Sequence, residues 1–170
     1  FWGGLPVSKV MNGGDTWQKL FGKRRAVNMG MGWDRVENVY WRILHGELDY
    51  CKPKQICLMI GTNNLGDKIE NIVSGICDDV KLIRKRQPQA RLHVIYIYPR
   101  RNNEQRVKEI NDLLKKTLVP DDHTDFGDMA EYLTLPDGSG KIDETLFKEG
   151  LHPNEKGYAN LAKGYKKILK

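Results

Sequence analysis

Gln55-Ile-Cys-Leu-Met-Ile-Gly61 is apolar at every position between its ends, and no other stretch constrains the fold as tightly. A strand open to water on one face alternates apolar with polar residues, whereas an unbroken apolar run suits a strand covered on both faces. The next segment changes period: Ile69, Ile72, Val73, Ile76, Val80 and Ile83 fall on one helical stripe within residues 68–86. The same pairing occurs twice more. Arg25-Ala-Val-Asn-Met-Gly30 reads as a short strand before a helix over residues 33–44, and Leu92-His-Val-Ile-Tyr-Ile-Tyr98, stopped by Pro99, as a buried strand before a helix over residues 104–118. Three strand–helix units predict an α/β protein with a parallel sheet, right-handed crossovers and helices on both faces. Beyond Pro120 the pattern thins to a short last strand in residues 124–129, a turn at Asp137-Gly-Ser-Gly140 and an amphipathic helix over residues 154–169.

No repeat, low-complexity tract or linker divides the 170 residues, so a single domain over residues 1–170 is expected. The apolar runs fall short of the roughly 20 residues that span a bilayer, and the opening segment lacks the basic start and apolar core of a retained signal peptide. Both a cytoplasmic location and a secreted one with its signal removed stay open. The net charge of +6 raises the question of nucleic acid, but the basic clusters GKRR, RKRQ and KKIL are short, lie at predicted helix ends and accompany no nucleic-acid motif, so they read as solvated surface. Cys51, Cys57 and Cys77 lack metal-ligand spacing and read as buried or free thiols.

In a parallel α/β sheet, ligands bind outside the carboxyl ends of the strands, which directs attention to three loops. Asn28-Met-Gly30-Met-Gly32 has glycines that let backbone amides approach a ligand, yet lacks the third glycine of a dinucleotide fingerprint, and it serves equally as a tight turn. In Gly61-Thr-Asn63-Asn64 an asparagine follows the most apolar strand; its carboxamide suits either a developing oxyanion or a helix cap. In Glu149-Gly-Leu-His152-Pro, a histidine has an acid three residues before it, as a general base needs, while Pro153 and Asn154 equally suit a helix start. His45, His93 and His123 sit at a helix end, in a strand and in an acidic loop, and read as structural or solvated. Trp2, Trp33 and Tyr158 suit a ligand-lining role or core packing. Taken together, an amide-rich turn, a carboxamide and a base at one sheet edge form the layout of acyl transfer.

These residues also resemble a known family. Asn28-Met-Gly30, Gly61-Thr-Asn63-Asn64 and Glu149-Gly-Leu-His152-Pro look like the second, third and fifth blocks of the SGNH, or GDSL-type, hydrolases. Trp41-Arg-Ile-Leu-His-Gly46-Glu-Leu48 and Arg86-Gln-Pro-Gln-Ala90 look like connecting segments of its platelet-activating-factor acetylhydrolase-like and carbohydrate O-acetylesterase-like branch. The resemblance implies a flavodoxin-like three-layer α/β/α sandwich and a serine esterase that removes small acyl groups, from an acetylated sugar or a lipid ester, with no cofactor and no metal. It implies Gly30 and Asn63 as oxyanion donors, His152 as base and Glu149, in place of the family's aspartate, as the acid behind it, with Asp143 in reserve.

The family's Gly-Asp-Ser block has no counterpart in this sequence, so the nucleophile is expected upstream of Phe1. Ser8, Ser74 and Ser139 sit in unsuitable contexts. The chain as it stands is therefore expected to be inactive, with its first strand missing and the exposed edges covered by a homo-oligomer or a strand-completing chain. The alternative is a non-catalytic flavodoxin-like module that binds a small ligand or a protein partner.

Overall fold

The computed structural model describes residues 15–169; Trp2 and Ser8, named above, lie outside them. Helix α1 (Thr16–Phe21) and helix α2 (Val36–Leu44) precede strand β1 (Gln55–Leu58), helix α3 (Ile69–Arg86), strand β2 (Arg91–Ile95), helix α4 (Glu104–Thr117), strand β3 (Thr124–Gly127) and helix α5 (Glu155–Ile168). The strands form a parallel sheet in the order β1–β2–β3. Gln55 is level with Arg91, and Leu92 with Thr124. All three strands therefore run out at one edge, where the loops after them gather.

Alternate residues of each strand enter opposite layers. Ile56 and Leu58 of β1, with Leu92 and Val94 of β2, pack with Val39 and Ile43 of α2, Ile76 and Ile83 of α3, and Ile110 and Leu114 of α4. Cys57 and Ile95 point the other way, into a cluster with Phe21 of α1 and Tyr158, Leu161 and Tyr165 of α5. The sheet thus has helices on both faces, the flavodoxin-like sandwich expected from its doubly buried runs. Helix α3 shows the local reasons for its bounds: its apolar stripe is buried, Glu70 occupies the first turn, and Arg84, Lys85 and Arg86 close the last, signs that suit the helix dipole. The RKRQ cluster is that helix end, and Lys166 and Lys167 of KKIL close α5 in the same way.

One element differs from expectation. The strand expected at Arg25-Ala-Val-Asn-Met-Gly30 is not a strand and joins no ladder of the β1–β2–β3 sheet; Arg25 has φ 50°. The apolar pattern is real, because Met29 packs on the α2–α3–α4 layer and Ala26 on the α1–α5 layer. It reports burial on two faces, whereas a strand also needs a laddering neighbour, which no local pattern encodes. Helix α2 starts at Val36 rather than near residue 33, since Trp33 has φ 67°, outside the helical region. The short α1 carried no periodic signal strong enough to be read.

Candidate active site

Three loops at the carboxyl edge are tied to one another by named hydrogen bonds. Residues 28–34, which lead into α2, are held from behind by Arg42: its guanidinium donates to the Met29 carbonyl at 3.3 Å and pairs with the Asp34 carboxylate at 2.7 Å. Burial raises the Asp34 pKa, and the Arg42 charge opposes the shift. Gly30 donates its amide to Asn28 Oδ1 at 3.0 Å, an Asx turn that keeps this amide engaged.

The second loop follows β1. Gly61, at φ 112°, turns the chain so that Thr62–Asn64 form a single 3-10 turn; a Cβ there would meet Ile97 Cδ1 at 2.8 Å, so glycine is required on both conformational and steric grounds. Its two asparagines divide their work. Half-buried Asn63 donates one Nδ2 hydrogen to the Asp34 carbonyl at 2.8 Å, which joins the two loops, and a carboxamide has a second hydrogen to give. Asn64 is 1% exposed and structural: its Oδ1 accepts from the first helical amide of α2, at Val36, and its Nδ2 donates to Glu37 and Asp67. Three arginines fix the carbonyls of this loop. Arg35 donates to Asn63 O, Arg100 to Thr62 O, and Arg106 to Leu65 O and Asp67 O.

The third loop carries the histidine. Phe147 and Pro153 face each other in an antiparallel bridge, and Lys148 N donates to His152 O at 2.9 Å, so residues 148–152 form a closed turn. Gly150 makes the closure possible at φ 79°, where an added Cβ would strike Arg101. Within this turn His152 Nδ1 contacts Glu149 Oε1, so the longer acid reaches the ring. Arg101 N donates to Gly150 O at 2.8 Å, while its neighbour Arg100 bonds the Asn63 loop; the Arg100–Arg101 pair after β2 thereby links the histidine turn to the asparagine turn. The His152 side chain is 34% exposed, open enough for its Nε2 to meet a reactant. Burial, with the charges of Arg100 and Lys148, lowers its pKa below the ordinary imidazole value. Pro153 precedes the helix cap, and Asn154 caps α5 by accepting from the amides of Lys156 and Gly157.

Other residues singled out in the sequence have other places. The Asp143 carboxylate accepts from Thr145 N and caps its own short turn. His93, fully buried, pairs with Asp125 at 2.5 Å inside the sheet, with no opening toward a reactant. Tyr158 is core, whereas Trp33 is 87% exposed. Ser74 lies within α3, and Ser139 binds the Asp137 turn. The three cysteines are free, and burial pushes the Cys57 thiol up to about 12. Among the described residues no group of three or more His, Cys, Asp or Glu could hold a metal ion, and no helix is long and apolar enough to cross a membrane. Sequence reasoning missed the supporting arginines and the role of Asn64, because partners 28 to 41 residues apart leave no local signal.

A doubly covered parallel sheet brings a glycine turn, an asparagine turn and a histidine–carboxylate turn together at its carboxyl edge. Residues 4–159 match the GDSL-like lipase/acylhydrolase family, and the chain belongs to that family of ester hydrolases. It is 31% identical over 170 residues to the platelet-activating factor acetylhydrolase IB subunit alpha1 of Pongo abelii, covering 98% of this chain and 73% of the relative. Its fold is shared by a member of the lipolytic G-D-S-L family from Veillonella parvula, with TM-score 0.77 at 18% identity over 99% of this chain and 94% of the other. A mutant acetyl esterase with an acetate ion shares it at TM-score 0.68 and 16% identity, over 82% of this chain and 68% of the other.

Proposed function

We propose that residues 1–170 form one domain of an esterase that removes small acyl groups such as acetyl. His152 is its general base, Glu149 the acid that orients it, and Gly30 and Asn63 the oxyanion donors. A serine in a Gly-Asp-Ser segment preceding Phe1 supplies the nucleophile. Its hydroxyl oxygen attacks the ester carbonyl while His152 Nε2 takes the proton; Glu149 at Nδ1 fixes the tautomer and supports the imidazolium. The oxyanion accepts from the second Asn63 Nδ2 hydrogen and from the Gly30 amide once Asn28 Oδ1 releases it. Collapse expels the alkoxide, which takes the proton from His152, and water then repeats the sequence on the acyl-serine to free the acid.

The observation that carries this reading is the Glu149–His152 contact in a turn bonded through Arg101 and Arg100 to the Asn63 loop. The test is the chain extended upstream by a Gly-Asp-Ser strand and assayed on p-nitrophenyl acetate. Turnover should require the serine, and His152→Ala should lower kcat by about 10²- to 10⁴-fold. Turnover indifferent to both residues would overturn the assignment. The engaged Gly30 amide favours a second reading, a ligand-binding module of the same fold, which an extended protein without turnover would select.

A further inference from the structure

Trp33 is held in a manner that folding alone does not favour. Its backbone has φ 67°, a region that glycine enters freely and a bulky side chain enters as a clear outlier. The indole is 87% exposed, so it adds little to the core. Both features would vanish with glycine at this position, and such outliers concentrate at functional sites.

The surroundings pin this peptide on both sides. Upstream, Met29 O accepts from Arg42, and Gly30 is one of the proposed oxyanion donors. Downstream, Asp34 is buried against Arg42, its amide donates to Met31 O at 3.4 Å, and its carbonyl accepts from Asn63 Nδ2 at 2.8 Å. Trp33 is therefore the residue immediately before the one whose carbonyl Asn63 grips. Met31, 54% exposed, stands on the same loop.

We infer that Trp33 is a specificity platform that stacks on a ring in the leaving alcohol of the ester, at the rim of the site whose acyl end lies between Gly30 and Asn63. The inference rests on the esterase reading of that site. A ring so open cannot enclose an acyl chain, which needs walls; what it offers is a flat face, and a flat face suits an aryl or pyranose ring. An acyl group as small as acetyl carries no ring, so a ring that meets Trp33 belongs to the alcohol of the ester.

Amide analogues test this without a nucleophile. The chain is titrated with acetanilide, with methyl N-acetyl-β-glucosaminide and with ringless N-ethylacetamide, following the Trp33 indole N–H resonance, which is identified by its loss in Trp33→Phe. A ring-bearing amide should move that resonance and N-ethylacetamide should not; the ring that acts distinguishes aryl from sugar esters. Binding should weaken about ten-fold in Trp33→Gly and hold within about three-fold in Trp33→Phe, as expected for loss and retention of one stacking contact. Trp33→Gly should also raise the thermal midpoint, since its backbone suits this turn. Silence of the indole toward both rings, an equal response to the ringless amide, or unchanged affinity in Trp33→Gly would overturn the inference. Esterase turnover in the extended protein alongside a silent indole would remove only this inference, while an indole response without turnover would leave Trp33 as a ring-binding residue and remove both the esterase and the assignment of that ring to an ester alcohol.

Discussion

Glu149 carries one methylene more than an aspartate would, and the structure shows where the extra length goes. The turn closes between Lys148 N and His152 O, Gly150 takes a left-handed conformation, and the carboxylate folds back onto Nδ1. The pairing of Glu149 with His152 was legible in the sequence as a spacing of three, but the fold-back was not, because Arg101 packs against Gly150 from a distant loop. The electrostatics yield a pH prediction for the serine-bearing protein. Only the neutral imidazole accepts a proton, and His152 is held below its ordinary value of 6.5 by burial, Arg100 and Lys148. The acid limb of kcat/KM should therefore lie below pH 6.5, with activity falling as pH drops through it. Glu149→Gln removes a carboxylate in contact with Nδ1, so the limb should move to still lower pH while the plateau falls about 10²- to 10⁴-fold. A limb that shifts upward in Glu149→Gln would show that the carboxylate does not act on this ring.

At the scale of elements, Asn63 and Asn64 show how adjacent identical side chains acquire different work. Asn63 joins two loops at a half-exposed position, whereas Asn64 is buried and serves as a cap for α2 contributed from another segment. Asn64→Ala would leave the Val36 amide, Glu37 and Asp67 without that partner, at a cost of about 1–3 kcal/mol. A urea titration should show a lower midpoint with an unchanged slope, and a midpoint equal to the parent would remove Asn64 from the structural account. Asn63→Ala should act on turnover far more than on that midpoint. Such divisions explain what the sequence could convey. Helices α3, α4 and α5 were legible because their stripes and terminal charges are local, and β1 and β2 because double burial leaves an unbroken apolar run. Residues 25–30 carried the same apolar mark without being a strand, since pattern records burial and not hydrogen-bonded neighbours. The arginines that brace Thr62, Asn63, Leu65 and Asp67 were illegible because a guanidinium bound to a distant carbonyl reads in sequence as one more surface charge.

For the whole molecule, the term most at odds with the rest of the core is Asp79. It lies in α3, has no exposed surface, and among the described residues neither carboxyl oxygen has a hydrogen-bond partner. Its surroundings are the α2–α3 layer, with Asp78 and Glu37 adding negative charge and Arg42 opposing them from α2. Burial pushes its pKa from 3.8 up to about 8, so in the folded chain it is a neutral acid through most of the physiological range. In the unfolded chain the same group loses its proton near pH 4. Between these values the folded state holds one proton more than the unfolded state, and stability therefore falls as pH rises from about 4 toward 8. Asp79→Val should remove that dependence and, by deleting an unpartnered buried polar group, raise stability at neutral pH by about 1–3 kcal/mol. Urea midpoints of parent and variant at pH 5 and pH 8 decide the matter. The variant should gain more at pH 8 than at pH 5, because the parent's carboxyl is free of charge at the lower value. An equal gain at both would mean that size and shape, rather than ionisation, set the cost of this residue; a loss at pH 8 would mean that the buried acid has a partner in solution and contributes to holding α2 against α3.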